Sequence, residues 1–124
     1  MDNNIKVYTF TRMQPQASDT DLLAAQSKLD AYCKENGYRI VGSAFTREPS
    51  EKMPAVMQDI LTDMKSKNAE LLVIPNISRL GRNTAAVAEI GKAFANEDMD
   101  IETTDGSRIS ELFEADTEPF IFRM

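Results

Sequence analysis

The chain has 124 residues and a mass of 13.9 kDa, enough for one hydrophobic core and too little for two domains of ordinary size. Hydrophobic residues make up 42% and charged residues 27%, as in globular proteins, and no apolar run approaches the roughly 20 residues of a membrane-spanning helix. The net charge of -6 is concentrated from Glu97 onward, where two basic residues meet nine acidic ones, which excludes that end as a phosphate-binding surface.

The chain opens with a predicted strand and helix. Residues 5–10 read as a buried strand, and a loop follows over residues 13–17. Ser18 and Asp21 have the spacing of a capping box, which predicts the start of a helix. Gly37 is expected to end this helix in the left-handed conformation.

A second strand and helix are predicted next. The strand covers residues 38–45, and a polar loop over residues 46–52 leads to Pro54, which suits the first turn of a helix. The apolar residues of this helix recur at helical spacing and predict its buried face: Val56, Met57, Ile60, Leu61 and Met64.

The remaining elements follow the same alternation. Residues 70–75 predict a third strand, Asn83 is expected to cap a third helix, and residues 99–103 predict a fourth strand. A short helix near residues 109–113 and an edge strand over residues 120–122 are expected after the turn at Gly106. Three interpretations of residues 120–122 stay open: the segment packs on its own domain, it mediates self-association, or it is a disordered end.

Strands that alternate with helices of about 14 residues imply right-handed crossovers and a mainly parallel sheet. The predicted class is therefore α/β, with three layers: a sheet of four to five strands and helices on both faces. We expect one domain over residues 1–106 and an acidic C-terminal extension over residues 107–124. No signal peptide is evident, so we expect a cytoplasmic protein. Cys33 is the lone cysteine and the chain has no histidine, so we expect no internal disulfide and no metal site. We also expect no cofactor.

The carboxyl ends of the first and third strands predict a binding site, because ligands bind there when such strands are neighbours. Arg12 would face Arg79 and Arg82 beside a helix that begins at Asn83, and guanidinium groups at a helix N-terminus favour phosphate. The alternative is that Arg79 caps carbonyl groups and Arg82 pairs with a surface carboxylate.

Residues 71–83, LLVIPNISRLGRN, resemble the strand and loop of the serine recombinase (resolvase and invertase) catalytic domain. The family pattern there is close to Leu-Asp-Arg-Leu-Gly-Arg-Asn, and Ser78 stands where the family has aspartate. The matching residues are Arg79, Leu80, Gly81, Arg82 and Asn83. The resemblance extends to about Gly106 and implies a resolvase-like, flavodoxin-like topology and a role in DNA recombination.

The same resemblance implies that strand cleavage is lost. In the family the first strand ends in Tyr-x-Arg-x-Ser, whose serine attacks a DNA phosphodiester; here Tyr8 matches, Phe10 replaces the arginine, and Arg12 replaces the serine. A guanidinium has no hydroxyl with which to form a phosphoester. Thr11 and Ser78 are the alternative hydroxyls, but Thr11 is expected to point to the opposite face of the strand, and Ser78 has no base at a recognisable spacing. The later loop departs from the family as well, at Arg47, Glu51 and Met53.

Three functional hypotheses follow. The first is an inactive recombinase-like protein that keeps a phosphate or DNA site at Arg12, Arg79, Arg82 and Asn83 and tunes a related active recombinase through mixed oligomers. The second is an active recombinase with an unusual nucleophile. The third is an anion-binding or protein-interaction module without a DNA role. We expect a homo-oligomer through the α/β domain, and we expect the family's long helix and separate DNA-binding domain to be missing.

Overall fold

The computed structural model describes residues 5–76, 79 and 84–110. In this part of the chain four strands alternate with three α-helices. The elements are β1 (Lys6–Arg12), α1 (Asp19–Glu35), β2 (Arg39–Thr46), a 3-10 turn (Ser50–Lys52), α2 (Met53–Ser66), β3 (Leu71–Ile74), α3 (Thr84–Asn96) and β4 (Asp100–Thr103). The strands form one sheet in the order β2-β1-β3-β4, and every neighbouring pair is parallel. The predicted α/β class is confirmed.

Side chains on the two faces of the sheet form two separate hydrophobic clusters, because successive residues of a strand point to opposite faces. On one face Tyr8 and Phe10 of β1 pack with α2 and α3. On the other face Val7 of β1 packs with Leu29 and Cys33 of α1. The sheet therefore lies between α1 and the pair α2 and α3, which confirms the three predicted layers.

Both ends of α1 were predicted correctly. The Ser18 hydroxyl accepts a hydrogen bond from the Asp21 backbone N–H at 3.1 Å, and the Asp21 carboxylate accepts one from the Ser18 N–H at 3.2 Å. Gly37 has a φ of +72°, and the N–H of the next residue, Tyr38, donates to the Cys33 carbonyl at 2.9 Å. This is a Schellman ending, which requires the left-handed conformation that glycine adopts at least cost.

β1 extends two residues beyond the predicted end at Phe10. Arg12 pairs with Thr46, and the Met13 N–H donates to the Thr46 carbonyl at 2.8 Å. These pairings depend on the neighbouring strand β2, so the sequence of β1 alone could not predict them. Thr11 and Arg12 are consequently strand residues whose side chains point to opposite faces of the sheet.

Gly42 lies against the buried ring of Tyr8. A Cβ atom at position 42 would lie 2.6 Å from Cε2 of that ring and 2.8 Å from Cδ2. The Tyr8 hydroxyl also donates to Asp63 of α2 at 2.6 Å, so the ring cannot shift without loss of this bond. The close approach of strand and ring therefore depends on glycine.

We predict that Gly42→Ala lowers the free energy of unfolding by about 1–3 kcal/mol, the usual cost of overpacking a core. Urea unfolding followed by circular dichroism measures the change. Ser43→Ala at the adjacent exposed position is the matched control and is expected to stay within about 0.5 kcal/mol of the parent chain. Equal stabilities for the two variants would contradict the prediction.

A buried carboxylate joins β4 to three other parts of the chain. Glu102 accepts hydrogen bonds from the hydroxyls of Tyr32 on α1 and of Tyr38 just before β2, the latter at 3.0 Å. It also accepts a bond from Arg108 Nε at 2.8 Å, and Arg108 forms an antiparallel bridge with Glu102. Burial, and secondarily the hydrogen bond to Glu102, raises the pKa of both tyrosines.

The segment after Gly106 packs on the domain as far as the structure describes it. Ile109 is buried in the cluster that contains α2 and α3, and the Ser110 hydroxyl donates to Asp100 at 2.6 Å. The domain boundary at residue 106 stays a prediction. The rest of the predicted helix at residues 109–113 and the predicted strand at residues 120–122 lie outside the described residues. Among the described residues no helix is long and apolar enough to cross a membrane.

Candidate phosphate-binding site

β1 and β3 are parallel neighbours, so their carboxyl ends meet at the same edge of the sheet. After β1 the chain forms α1 on one face, and after β3 it forms α3 on the other face. In such a sheet the ends of these two strands are the usual place for a ligand. The structure confirms this predicted neighbourhood of strands, and two clefts open there.

The first cleft lies between the N-terminal half of α1 and the ends of β1, β3 and β4, and we call it the α1 cleft. It has a volume of about 450 Å³. Its lining residues are Thr11, Met13, Asp21, Ala24, Ala25, Lys28, Leu29, Pro75, Asn76, Arg79 and Thr104. The predicted site residue Arg79 therefore shares one cleft with Thr11 and Asn76.

Arg79 is one of the hydrogen-bond donors that line this cleft. Its Nε is buried and has no hydrogen-bond partner in the part of the chain that the structure describes. The backbone holds it in place: the Arg79 N–H donates to the Asn76 carbonyl at 3.1 Å, and the Thr104 hydroxyl donates to the Pro75 carbonyl at 3.0 Å. A buried guanidinium N–H is a costly group to leave without an acceptor, and an anionic oxygen is the acceptor it favours.

The charged groups that line the α1 cleft favour an anion. Lys28 and Arg79 are cationic, and Asp21 is the one carboxylate among the described lining residues. The Asp21 carboxylate is engaged by the backbone N–H of Ser18 as part of the helix cap. Two cations and one occupied carboxylate leave the cleft with a positive balance.

Lys28 was not among the sequence-predicted site residues. It lies on the flank of α1 that also carries Ala24 and Ala25, and all three line the cleft. The helical spacing of these residues was visible in the sequence. Which flank of α1 would face the end of β3 depends on how the helix crosses the sheet, and no local pattern contains that information.

The second cleft lies at the ends of β1 and β2, and we call it the loop cleft. It has a volume of about 460 Å³. Its lining residues are Arg12, Gln14, Pro15, Arg47, Glu48, Pro49, Ser50 and Glu51. Two arginines and two glutamates balance in charge. Arg47 is already engaged, since its Nη2 donates to the Ala17 carbonyl at 3.0 Å and its guanidinium lies 5.5 Å from the centre of the Phe45 ring.

The structure thus places Arg12 and Arg79 in different clefts. Arg12 ends β1 on the face opposite to Thr11, and Thr11 is the β1 residue that lines the α1 cleft. Phe10, which the resemblance assigns to the family's arginine position, is 1% exposed in the core against α2 and α3. Arg82, Asn83 and Ser78 lie outside the described residues.

The resolvase N-terminal domain model matches residues 7–123 of the chain. This match covers nearly the whole sequence, including the first strand and the arginine loop. The chain belongs to the resolvase N-terminal domain family. No curated protein sequence matches it.

Solved structures support the same fold for this resolvase-family domain. The N-terminal catalytic domain of TP901-1 integrase superposes with a TM-score of 0.70 at 18% identity, covering 85% of this chain and 82% of that one. A resolvase family site-specific recombinase from Streptococcus pneumoniae gives 0.69 at 21% identity, covering 97% and 93%. The C-terminal catalytic domain of ISC1926 TnpA, an IS607-like serine recombinase, gives 0.70 at 17% identity, covering 81% and 69%. At these identities the likeness establishes the fold alone.

Proposed function

We propose that this resolvase-family domain binds a DNA phosphate in the α1 cleft and does not cleave the strand. The proposal rests on the end of β1, where the structure has a half-buried Arg12 at the position that the resemblance assigns to the family's serine. A guanidinium can neutralise a phosphate, but it has no hydroxyl oxygen that could displace a DNA oxygen from phosphorus.

The binding half of the proposal rests on Arg79 and Lys28. The buried Arg79 Nε lacks an acceptor among the described residues, and a phosphate oxygen in the cleft would supply one. Lys28 adds a second positive charge from α1. In this proposal Arg82 and Asn83 extend the same phosphate site, as the family pattern implies. Arg12 contributes positive charge from the loop cleft rather than from the α1 cleft.

The partners in this proposal are DNA and a related active recombinase. A domain that keeps the phosphate contacts and lacks the nucleophile would tune recombination by joining mixed oligomers without cutting its own strand. Co-elution with an active family member would support this role, and unchanged recombination without co-elution would contradict it.

A second candidate function is cleavage by a different hydroxyl, and one observation favours it: Thr11 lines the same cleft as Arg79. Two observations oppose it. Thr11 is only 1% exposed, so its hydroxyl is buried. Asp21, the one described carboxylate of the cleft, is engaged in the helix cap and is therefore not positioned as its base.

The predicted result for DNA cleavage is the absence of a covalent product. The chain is incubated with supercoiled plasmid, quenched with denaturant and analysed by denaturing electrophoresis beside an active serine recombinase. We expect an adduct and nicked plasmid only with the active enzyme, since loss of a covalent nucleophile costs several powers of ten in rate.

A protein-DNA adduct from this chain would overturn the proposal, and mass spectrometry would then locate the linkage. A phosphothreonine at Thr11 that disappears in Thr11→Val would establish the second candidate. DNA affinity that does not fall with salt would favour instead a small-anion or protein-interaction module, because phosphate neutralisation releases counterions.

A further inference from the structure

We infer that the open edge of β2 is a self-association surface, through which two copies of this chain pair their β2 strands antiparallel and continue the sheet. β2 is the outermost strand of the order β2-β1-β3-β4, and no strand among the described residues pairs with its outer side. At eight residues it is the longest of the described strands. An open edge presents unpaired N–H and C=O groups that another strand can pair with.

The hydrogen bonds to β1 show which backbone groups of β2 point outward. The Arg39 N–H donates to Ile5, and the Thr46 carbonyl accepts from Met13, so these two residues direct their backbone toward β1. Alternation back from Thr46 directs the N–H and C=O groups of Ser43 and Phe45 to the open side.

The two edges of the sheet differ in their protection. β4 at the other edge has only four residues, and its Glu102 is bridged by Arg108. The sequence of β2, RIVGSAFT, contains no proline or lysine and has its one charge at the first residue. Proline, internal charge and short length are usual means of blocking edge-to-edge pairing, and β2 has none of them. Its one irregularity, a register shift relative to β1 between Ile40 and Gly42, precedes the regular segment from Ser43 to Thr46.

Two of the three exposed large hydrophobic side chains among the described residues lie on β2, and the third lies on α1. They are Leu23, Ile40 and Phe45, which are 63%, 38% and 41% exposed. Leu23 is on α1, about 120° around the helix from the buried Leu29. It lies on the opposite flank of α1 from Asp21 and Lys28, which line the α1 cleft. Since α1 contacts β2 as well as β3, that flank faces β2.

A second copy of this chain is the occupant that fits. When the same strand edge from two copies meets, a two-fold axis relates them and the strands run antiparallel. The exposed Arg39 at the start of one β2 then lies toward the exposed Glu48 that follows the β2 strand of the other copy, and these two residues have opposite charges. Arg47, which precedes Glu48, is engaged within its own copy by the Ala17 carbonyl and the Phe45 ring. Between these ends, Phe45 of one copy can pair with Ser43 of the other through the outward backbone groups of both.

The test is the oligomeric state of the full chain by sedimentation velocity from about 1 μM to about 1 mM. We expect a dimer whose dissociation constant rises at least about tenfold in Phe45→Lys and in Ile40→Lys, because each places a charge in the paired edge. Ala95→Lys adds the same charge to an exposed position of α3, which packs beside β4 at the opposite edge of the sheet, and is expected to leave the dimer unchanged.

Hydrogen exchange supplies a second readout at single amides. The N–H groups of Ser43 and Phe45 are expected to gain protection as concentration rises, whereas that of Arg39, already bonded to β1, is not. A monomer over the whole range, or a dimer that persists in both folded lysine variants, would overturn the inference. These outcomes are independent of DNA binding and of cleavage.

Discussion

Glu102→Ala is expected to lower the free energy of unfolding by about 3–5 kcal/mol, because it takes a shared acceptor from three hydrogen-bond donors, at roughly 1–3 kcal/mol for each donor left buried and unsatisfied. The Glu102 side chain is only 4% exposed. Its removal leaves Arg108 Nε and the hydroxyls of Tyr32 and Tyr38 without the acceptor they share. The protein then loses the side chain that connects α1, the start of β2, β4 and the segment after β4.

The conservative variant Glu102→Gln separates charge from shape. It keeps the side-chain volume and one acceptor oxygen, so we expect a smaller loss, about 1–3 kcal/mol. Glu89→Ala, at an exposed position of α3, is the matched control and is expected to change stability by less than about 0.5 kcal/mol. Urea unfolding measures all three variants. A loss in Glu102→Ala no larger than in Glu89→Ala would contradict the prediction.

The pKa values of Tyr32 and Tyr38 offer a second measurement of their interaction with Glu102. Burial first, and the bond to Glu102 second, raises the pKa of Tyr32 and of Tyr38 in the folded chain. Their contribution to stability is therefore complete below about pH 10, the unfolded pKa, and is lost as pH rises through the folded values. In Glu102→Gln we expect the pKa of both tyrosines to fall toward the ordinary value, as measured by ultraviolet absorbance titration.

Arg79→Gln is expected to weaken the binding of short duplex DNA by about ten- to a hundredfold at low salt, since a hydrogen bond to a charged group contributes about 1.5–3 kcal/mol. The physical reason is the buried Nε, for which the described chain provides no acceptor. Fluorescence anisotropy at several salt concentrations measures the change. The slope of affinity against salt is expected to decrease by about one phosphate contact.

Two further variants show whether the effect belongs to the α1 cleft. Lys92→Gln removes one positive charge from an exposed position of α3 and is expected to leave affinity nearly unchanged. Lys28→Gln removes a charge that lines the cleft and is expected to weaken binding. If Lys92→Gln weakened binding as much as Arg79→Gln, only net charge would matter and the cleft would not be the binding site.

Local patterns predicted the elements that local interactions determine. The capping box of Ser18 and Asp21 and the left-handed Gly37 depend on residues within one helical turn, so the sequence contained the complete signal. Alternation of strands and helices likewise predicted a parallel sheet with helices on both faces. The arginine loop pointed to the family, which the match over residues 7–123 established.

Contacts between distant residues required the fold. The sequence indicated an acidic segment after Glu97, yet Glu102 within it is buried and bonded to Tyr32 and Tyr38, which are 70 and 64 residues away. A carboxylate in a charged segment carries no local sign of such partners. Its burial follows from the position of β4 beside β3 and from the way α1 covers the sheet.

For the candidate site, the sequence by itself determined which chemical groups are present: a guanidinium at position 12 and an arginine pair after the third strand. Only the tertiary structure decided which groups share a cleft. Because β1 pairs with β2, it extends as far as Arg12. Since side chains alternate between the two faces of a strand, Thr11 then lines the cleft that contains Arg79, and Arg12 lines the loop cleft. The physical reason is that strand length is determined by hydrogen bonds to a neighbour more than 30 residues away, whereas the identity of each side chain is local.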